Sequence, residues 1–148
     1  MTESVATPSA DSIFIIESEH LISSGISDVL DEHGLRSQSF NTLSTLLRAA
    51  RILKPRAVVI DAASPESVVE PHERMGCDHI VRVLRGAYPS LCIVILAVSL
   101  DRQTDALVRE FKLPIVLKPF GADKLLAVLS GCGILLESMS EVQHTPVY

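Results

Sequence analysis

The chain has 148 residues, of which 47% are hydrophobic and 21% charged, so its composition excludes an intrinsically disordered protein and favours one domain with its own core. The formal net charge is −5, from 13 basic and 18 acidic residues. Two acids lie in residues 1–11 and two in residues 132–148, and neither stretch contains a Lys or Arg. The nearly neutral body lacks the basic stripe of a nucleic-acid binder, so we expect no nucleic-acid partner.

Hydropathy and cysteine usage point to an intracellular protein. The longest apolar run, Leu91 to Val98, is too short to cross a bilayer, and the first twelve residues lack the basic segment of a secretion signal. Cys77, Cys92 and Cys132 are widely spaced and form no CxxC pair. We therefore expect free thiols, a cytoplasmic location and no membrane association.

Strand-like and helix-like patterns alternate along residues 12–131, between a polar lead (1–11) that we expect to be disordered and a C-terminal tail (132–148). Strands are predicted from short apolar runs and helices from apolar residues three or four positions apart. In chain order these are a strand at 13–16, a helix at 21–30, an edge strand at 35–40, a helix at 43–50, a strand at 57–60, a helix at 78–85, a strand at 92–97, a helix at 101–111, a strand at 114–117 and a helix at 122–129.

Several residues are predicted to begin or end these elements. Gly34 is placed to cap the first helix at its C-terminus, Asn41 to cap the second at its N-terminus, and Pro55 to stop that second helix. Residues 62–76 contain two prolines and no periodicity, and form an unusually long connection. This connection is either a surface that selects a partner or an insertion without a role.

Five strands alternating with five helices predict an α/β fold with a flavodoxin-like, doubly wound, five-stranded parallel sheet. In such sheets the functional residues lie beyond the carboxyl ends of the strands. Glu17, Asp61 and Lys118 come at three of these ends. Two carboxylates and an ammonium are groups that can hold a divalent cation and a phosphoryl group, although a strand that ends in Asp or Glu is common in any α/β protein.

Three segments at these strand ends resemble the receiver domain of two-component response regulators. They are IFIIESE, which contains Glu17; VVIDAASP, which contains Asp61 and a proline four residues later; and IVLKPF, which contains Lys118 and Pro119. The resemblance covers residues 12 to about 131. It implies a (βα)5 receiver-like domain in a phosphorelay.

The resemblance also implies a role for each matching residue. Asp61 is similar to the phosphoacceptor and Lys118 to the residue that pairs with the phosphoryl oxygens. Glu17 matches the first acidic position, so Glu17, Asp61 and the backbone oxygen of Ala63 would hold Mg²⁺. The bond between Lys118 and Pro119 is where receivers often have a cis peptide.

Three positions depart from the receiver pattern. Ser18 stands in place of a second metal-binding acid, Ala97 in place of a hydroxyl that meets the phosphoryl group, and Ile115 in place of an aromatic residue that rotates. Loss of one charged contact costs about 1.5–3 kcal/mol, and loss of the hydroxyl about 0.5–1.5 kcal/mol. Glu19 and Ser99 are the residues that could replace the missing carboxylate and hydroxyl, but both have a plain explanation at the start of a helix.

We therefore expect an atypical receiver-like signalling module, not an enzyme, that acts mainly through protein–protein contacts with weak or absent phosphorylation of Asp61. Its partners would be a histidine kinase or phosphotransfer protein, an effector, or both, and self-association into a homodimer stays open. Weak Mg²⁺ binding is the expected cofactor chemistry. An ordinary phosphoaccepting receiver is the alternative, and a flavodoxin-like nucleotide binder or enzyme is disfavoured because no phosphate-binding glycine motif precedes a helix.

Overall fold

In a computed structural model of the chain, the described residues are 12–17, 19–63 and 76–134. They form ten alternating strands and helices, as the sequence predicted. In chain order these are β1 (Ser12–Ile16), α1 (His20–Glu32), β2 (Arg36–Ser39), α2 (Leu43–Leu53), β3 (Ala57–Asp61), α3 (Gly76–Ala87), β4 (Cys92–Ala97), α4 (Arg102–Phe111), β5 (Ile115–Leu117) and α5 (Ala122–Gly131).

The five strands of this part of the chain are parallel and form one sheet in the order β2-β1-β3-β4-β5. This is the flavodoxin-like order, in which the direction of winding switches between β1 and β3. Ile16 of β1 pairs with Ile60 of β3, so Glu17 and Asp61 follow at the same edge of the sheet. The predicted fold class is thus confirmed, and β2 lies at the sheet edge as its polar sequence indicated.

Alternate residues of the central strands pack on opposite faces of the sheet, since successive side chains in a strand point in opposite directions. Ile13 and Ile15 lie in a buried cluster with residues of α1 and α5. Phe14 and Ile16 lie in another with residues of α2, α3 and α4. Because helices cover both faces, β3 and β4 are almost entirely buried, and their sequences are continuous apolar runs.

The helix ends show one short-range sequence signal that is confirmed and one that is wrong. Gly34 has a φ of 78°, and the amides of Gly34 and Leu35 donate to the carbonyls of Asp31 and Leu30, which closes α1 as predicted. The prediction that Asn41 caps α2 is wrong. Thr42 is the cap, because its hydroxyl accepts a hydrogen bond from the Thr45 amide at 3.2 Å.

The expectation of three free thiols is also wrong. Cys92 and Cys132 form a disulfide, with their Cα atoms 6.1 Å apart, whereas Cys77 remains a thiol. The fold brings the turn after α5 against the first residue of β4, a proximity that a separation of 40 residues hides in the sequence. The cysteine pattern therefore no longer argues for a reducing compartment. Among the described helices, none is long and apolar enough to cross a membrane.

Candidate functional site

Glu17, Asp61 and Lys118 meet beyond the carboxyl edge of the sheet. Glu17 follows β1, Asp61 ends β3 and Lys118 follows β5. Nζ of Lys118 lies 3.1 Å from Oε1 of Glu17 and 3.0 Å from Oδ1 of Asp61. The structure thus brings together the three residues that the sequence placed at strand ends.

These charges are largely withdrawn from water. The side chains of Glu17, Asp61 and Lys118 are 0%, 5% and 15% exposed, respectively. Burying a charge to this degree costs free energy unless the charge is paired, and here the Lys118 ammonium forms an ion pair with both carboxylates. These three side chains together have a formal charge of −1, and Lys118 is an ion-pair partner of both acids.

Burial acts differently on the members of this cluster. It raises the pKa of Glu17, since the opposing influence of Lys118 and of the Glu19 amide, 3.2 Å from Oε2, does not fully compensate. Burial lowers the pKa of Lys118, but the ion pairs with Asp61 and Glu17 outweigh this and raise it overall. Lys118 is accordingly held in its charged form, whereas the charged form of Glu17 is disfavoured.

Of the three departing positions, Ala97 and Ile115 are among the described residues. Ala97 ends β4 and is buried, and its carbonyl accepts a hydrogen bond from the Lys118 amide at 2.7 Å. Ala97 is therefore joined to Lys118 through the backbone, and its side chain carries no hydroxyl. Ile115 is half-buried in β5, and the Lys118–Pro119 peptide bond is cis. Ser18 lies outside the described residues, as does most of the 62–76 connection.

The two residues considered as replacements are both exposed, in contrast to the buried acids of the cluster. Glu19 contacts Glu17 through its backbone amide. Ser99 is exposed in the turn that leads to α4, and Asp101 caps that helix by accepting a hydrogen bond from the Thr104 amide at 2.8 Å. The described part of the pocket therefore keeps two carboxylates, one lysine and no nearby hydroxyl from β4.

We tested whether these groups suit Mg²⁺, which proteins commonly bind through one or two carboxylates and phosphate oxygens. Both acids approach the same ammonium, and Oε1 of Glu17 is buried and accepts no well-aligned hydrogen bond from the described residues. Glu17 and Asp61 therefore offer oxygen atoms of the kind that a divalent cation binds. No cluster of three or more His, Cys, Asp or Glu residues suited to a metal occurs among the residues described, so the set is a sparse one.

Cys77 is a neighbour of the site that the sequence patterns did not reveal. It lies in the first turn of α3, and burial raises the pKa of its thiol to about 12, helped by the negative charges of Asp61 and Asp78. Cys77 lies near Asp61 because α3 packs beside β3. No short stretch of sequence indicates that packing.

Comparisons with known proteins agree with this architecture. No protein-family model and no curated protein matches the chain. Among solved structures, the receiver domain of an HD domain-containing protein from Pseudomonas fluorescens Pf-5 superposes with a TM-score of 0.70 at 17% identity, over 83% of this chain and 94% of that one. The chemotaxis protein CheY4 of Vibrio cholerae gives 0.70 at 16% identity, over 83% and 98%. A CheY-like receiver domain protein from Methanospirillum hungatei JF-1 gives 0.70 at 12% identity, over 82% and 92%.

The similar proteins are receiver domains of response regulators, and at such low identity the likeness concerns the fold. The chain therefore has the receiver fold, a doubly wound (βα)5 domain. A buried cluster of two acids and a lysine lies at the carboxyl edge of its sheet.

Proposed function

We propose that the chain is an atypical receiver module in phosphorelay signal transduction, which acts mainly by binding other proteins and in which Asp61 is phosphorylated weakly or not at all. The observation that supports this most directly is the pairing of Lys118 with both Glu17 and Asp61, next to an Ala97 that carries no hydroxyl. The charged machinery for binding is retained. A group that would stabilise a phosphoryl oxygen is missing.

Each residue of the cluster would have a defined part in any phosphorylation. A carboxylate oxygen of Asp61 would attack the phosphorus of a donor, and the bond from phosphorus to the donor's leaving atom, a ring nitrogen in a phosphohistidine, would break. The leaving group would depart with that electron pair. Lys118, already 3.0 Å from Oδ1, would neutralise one phosphoryl oxygen. A Mg²⁺ ion, when bound by Glu17, Asp61 and the carbonyl of Ala63, would stabilise negative charge on the phosphoryl group.

The same geometry explains why the reaction would be weak. A phosphoryl group on Asp61 competes with Glu17 for Lys118, and it finds a methyl group at Ala97 where a hydroxyl would donate a hydrogen bond. The sequence adds Ser18 in place of a further carboxylate. Each loss is worth about 0.5–3 kcal/mol, so together they lower the population of the phosphorylated state by one or more orders of magnitude.

A receiver module of this kind would have as its partners a histidine kinase or phosphotransfer protein, an effector protein, or both. These partners would place the module in the cytoplasm. A thiol-rich cytoplasm would favour the reduced form of Cys92 and Cys132. An ordinary phosphoaccepting receiver is the second candidate function, and the observation in its favour is that Asp61 and Lys118 are already in contact.

One labelling experiment separates the two candidates. The full chain is incubated with a small-molecule phosphodonor at millimolar Mg²⁺, and an added phosphoryl group is sought by intact mass in the wild type and in Asp61→Asn. Asp123→Asn is the matched control, since Asp123 is exposed on α5. We expect little or no labelling, and partner binding that Asp61→Asn leaves unchanged. Stoichiometric labelling that Asp61→Asn abolishes and Asp123→Asn preserves would establish the ordinary receiver instead.

A further inference from the structure

An apolar groove of about 540 Å³ lies between α1 and α5 and opens beside Lys118. Its walls include Ile22 and Ile26 of α1 and Leu125 of α5. At its rim, Leu21 is 85% exposed and Val98 is 72% exposed. Large apolar side chains gathered around a concave surface mark a site that another apolar group covers.

The chain leaves α5 on the side of the sheet where this groove lies. Gly133 has a φ of 91°, and the amides of Gly133 and Ile134 donate to the carbonyls of Ser130 and Leu129 at 3.0 and 3.1 Å. This pattern closes the helix and turns the chain away from its axis. Ile134 is buried in the same core cluster as Ile26 and Leu125, so the last described residue lies on the sheet face that carries the groove.

The point at which the tail begins is held firmly. Ile134 is buried, and the carbonyl of Gly133 accepts a hydrogen bond from Arg56 at 3.4 Å, two contacts that do not involve the bond between Cys92 and Cys132. Residues 135–148 follow this anchor. A tethered segment faces a nearby site at an effective concentration in the millimolar range, far above that of an unlinked protein at ordinary concentrations.

The length and sequence of the tail suit the groove. Fourteen residues span about 21 Å as a helix and up to about 46 Å when extended, whereas α5 is only about 15 Å long, so the tail can return along α5 to the groove in either form. Its apolar residues Leu135, Leu136, Met139 and Val142 are separated by one, three and three positions, and together they fall on one face of a helix. Glu137, Ser138, Ser140 and Glu141 fall between them.

We propose that residues 135–148 fold back along α5 and occupy the groove between α1 and α5, with the apolar face of the tail against Leu21, Ile22 and Leu125. This proposal does not rest on the proposed function. The groove reaches Lys118, so the docked tail would lie beside the charged cluster. A protein that binds this face would first have to displace it.

Hydrogen exchange of the full chain, followed by mass spectrometry, tests the proposal. We expect the amides of 136–142 to exchange at least about tenfold more slowly than in an isolated peptide of the same sequence. The protection should disappear in the double variant Leu136→Asp/Met139→Asp. It should remain in Ser138→Asp/Ser140→Asp, which adds the same charge on the polar positions.

A change on the other side of the contact completes the test. Leu21→Asp should release the tail, whereas Ile52→Asp, at an equally exposed apolar residue of α2, should not. Exchange at the rate of the isolated peptide in the wild type would overturn the proposal. Protection that survives Leu21→Asp would place the tail elsewhere, and protection that rises with protein concentration would assign the groove to a second copy.

Discussion

Replacement of Lys118 by Met tests the electrostatic account of the site. Lys118 is the cation that contacts both Glu17 and Asp61, at 3.1 and 3.0 Å. Methionine has a similar length and volume but carries no charge. The variant therefore leaves two almost fully buried carboxylates close together without the ammonium between them.

The size of the effect follows from these distances and from burial. At an effective dielectric constant of about 20, each contact near 3 Å contributes about 5 kcal/mol of attraction. Taking each ion out of water costs several kcal/mol, so the intact cluster is close to balanced. Removal of the cation alone loses the attraction and keeps the cost. We expect Lys118→Met to lower the free energy of unfolding by about 3–5 kcal/mol at pH 7.5.

The loss should depend on pH in a definite direction. Burial already raises the pKa of Glu17 above its ordinary value of 4.5, and removal of Lys118 takes away an influence that lowers it. A carboxyl whose pKa is higher in the folded state than in the unfolded state stabilises the fold below its unfolded pKa. That contribution is lost as the pH rises through the folded pKa. The deficit of Lys118→Met should therefore be full at pH 7.5 and shrink towards pH 4.5.

Urea unfolding monitored by circular dichroism, with a chelator present so that no divalent cation replaces the ammonium, measures these differences. Lys124→Met, at an exposed position of α5, is the matched control and should change the stability by less than about 0.5 kcal/mol. Addition of Glu17→Gln to Lys118→Met should recover about 1–3 kcal/mol, because it removes one buried charge. A deficit below about 1 kcal/mol, or an equal deficit at pH 7.5 and pH 5.0, would refute this account.

Three further predictions concern other parts of the site and the core. Ala97→Thr should raise the phosphodonor labelling of Asp61 about two- to tenfold by supplying a hydroxyl, whereas Ala97→Val should not, as intact mass would show. Cys132→Ser should lower the free energy of unfolding by about 4 kcal/mol in the absence of reductant, because the disulfide with Cys92 joins residues 40 positions apart. If the wild type has the same urea midpoint with and without a thiol reductant, this prediction is contradicted. Cys77 should resist alkylation at pH 8 until urea is added, because its pKa is about 12, and rapid modification of the native protein would show that the thiol is accessible.

The residues predicted at the ends of the strands agree best with the structure. Buried strands of a parallel sheet are continuous apolar runs, so the first charged residue after each run is visible in the sequence. Glu17 and Lys118 were found in this way, and Asp61 as the residue that ends its run. Their convergence could also be predicted, since parallel strands bring their carboxyl ends to one edge.

Predictions that depended on side-chain detail fared less well. Asn41 and Thr42 are both good helix caps by composition, and only the backbone angles and the hydrogen bond to the Thr45 amide decide between them. Cys92 and Cys132 gave no local signal of pairing. A disulfide depends on the distance between two Cα atoms, and sequence spacing does not report that distance for residues on different elements.

The sequence by itself determined the succession of strands and helices, the class of fold and the residues that end the strands, because each follows from local periodicity and from the geometry of parallel sheets. Only the tertiary structure decided that one lysine serves two buried acids, that Cys77 lies near Asp61, and that α1 and α5 leave an apolar groove beside Lys118. These features depend on distances, burial and shape between elements far apart in the chain. They arise when the helices pack on the sheet, and no short segment encodes them alone.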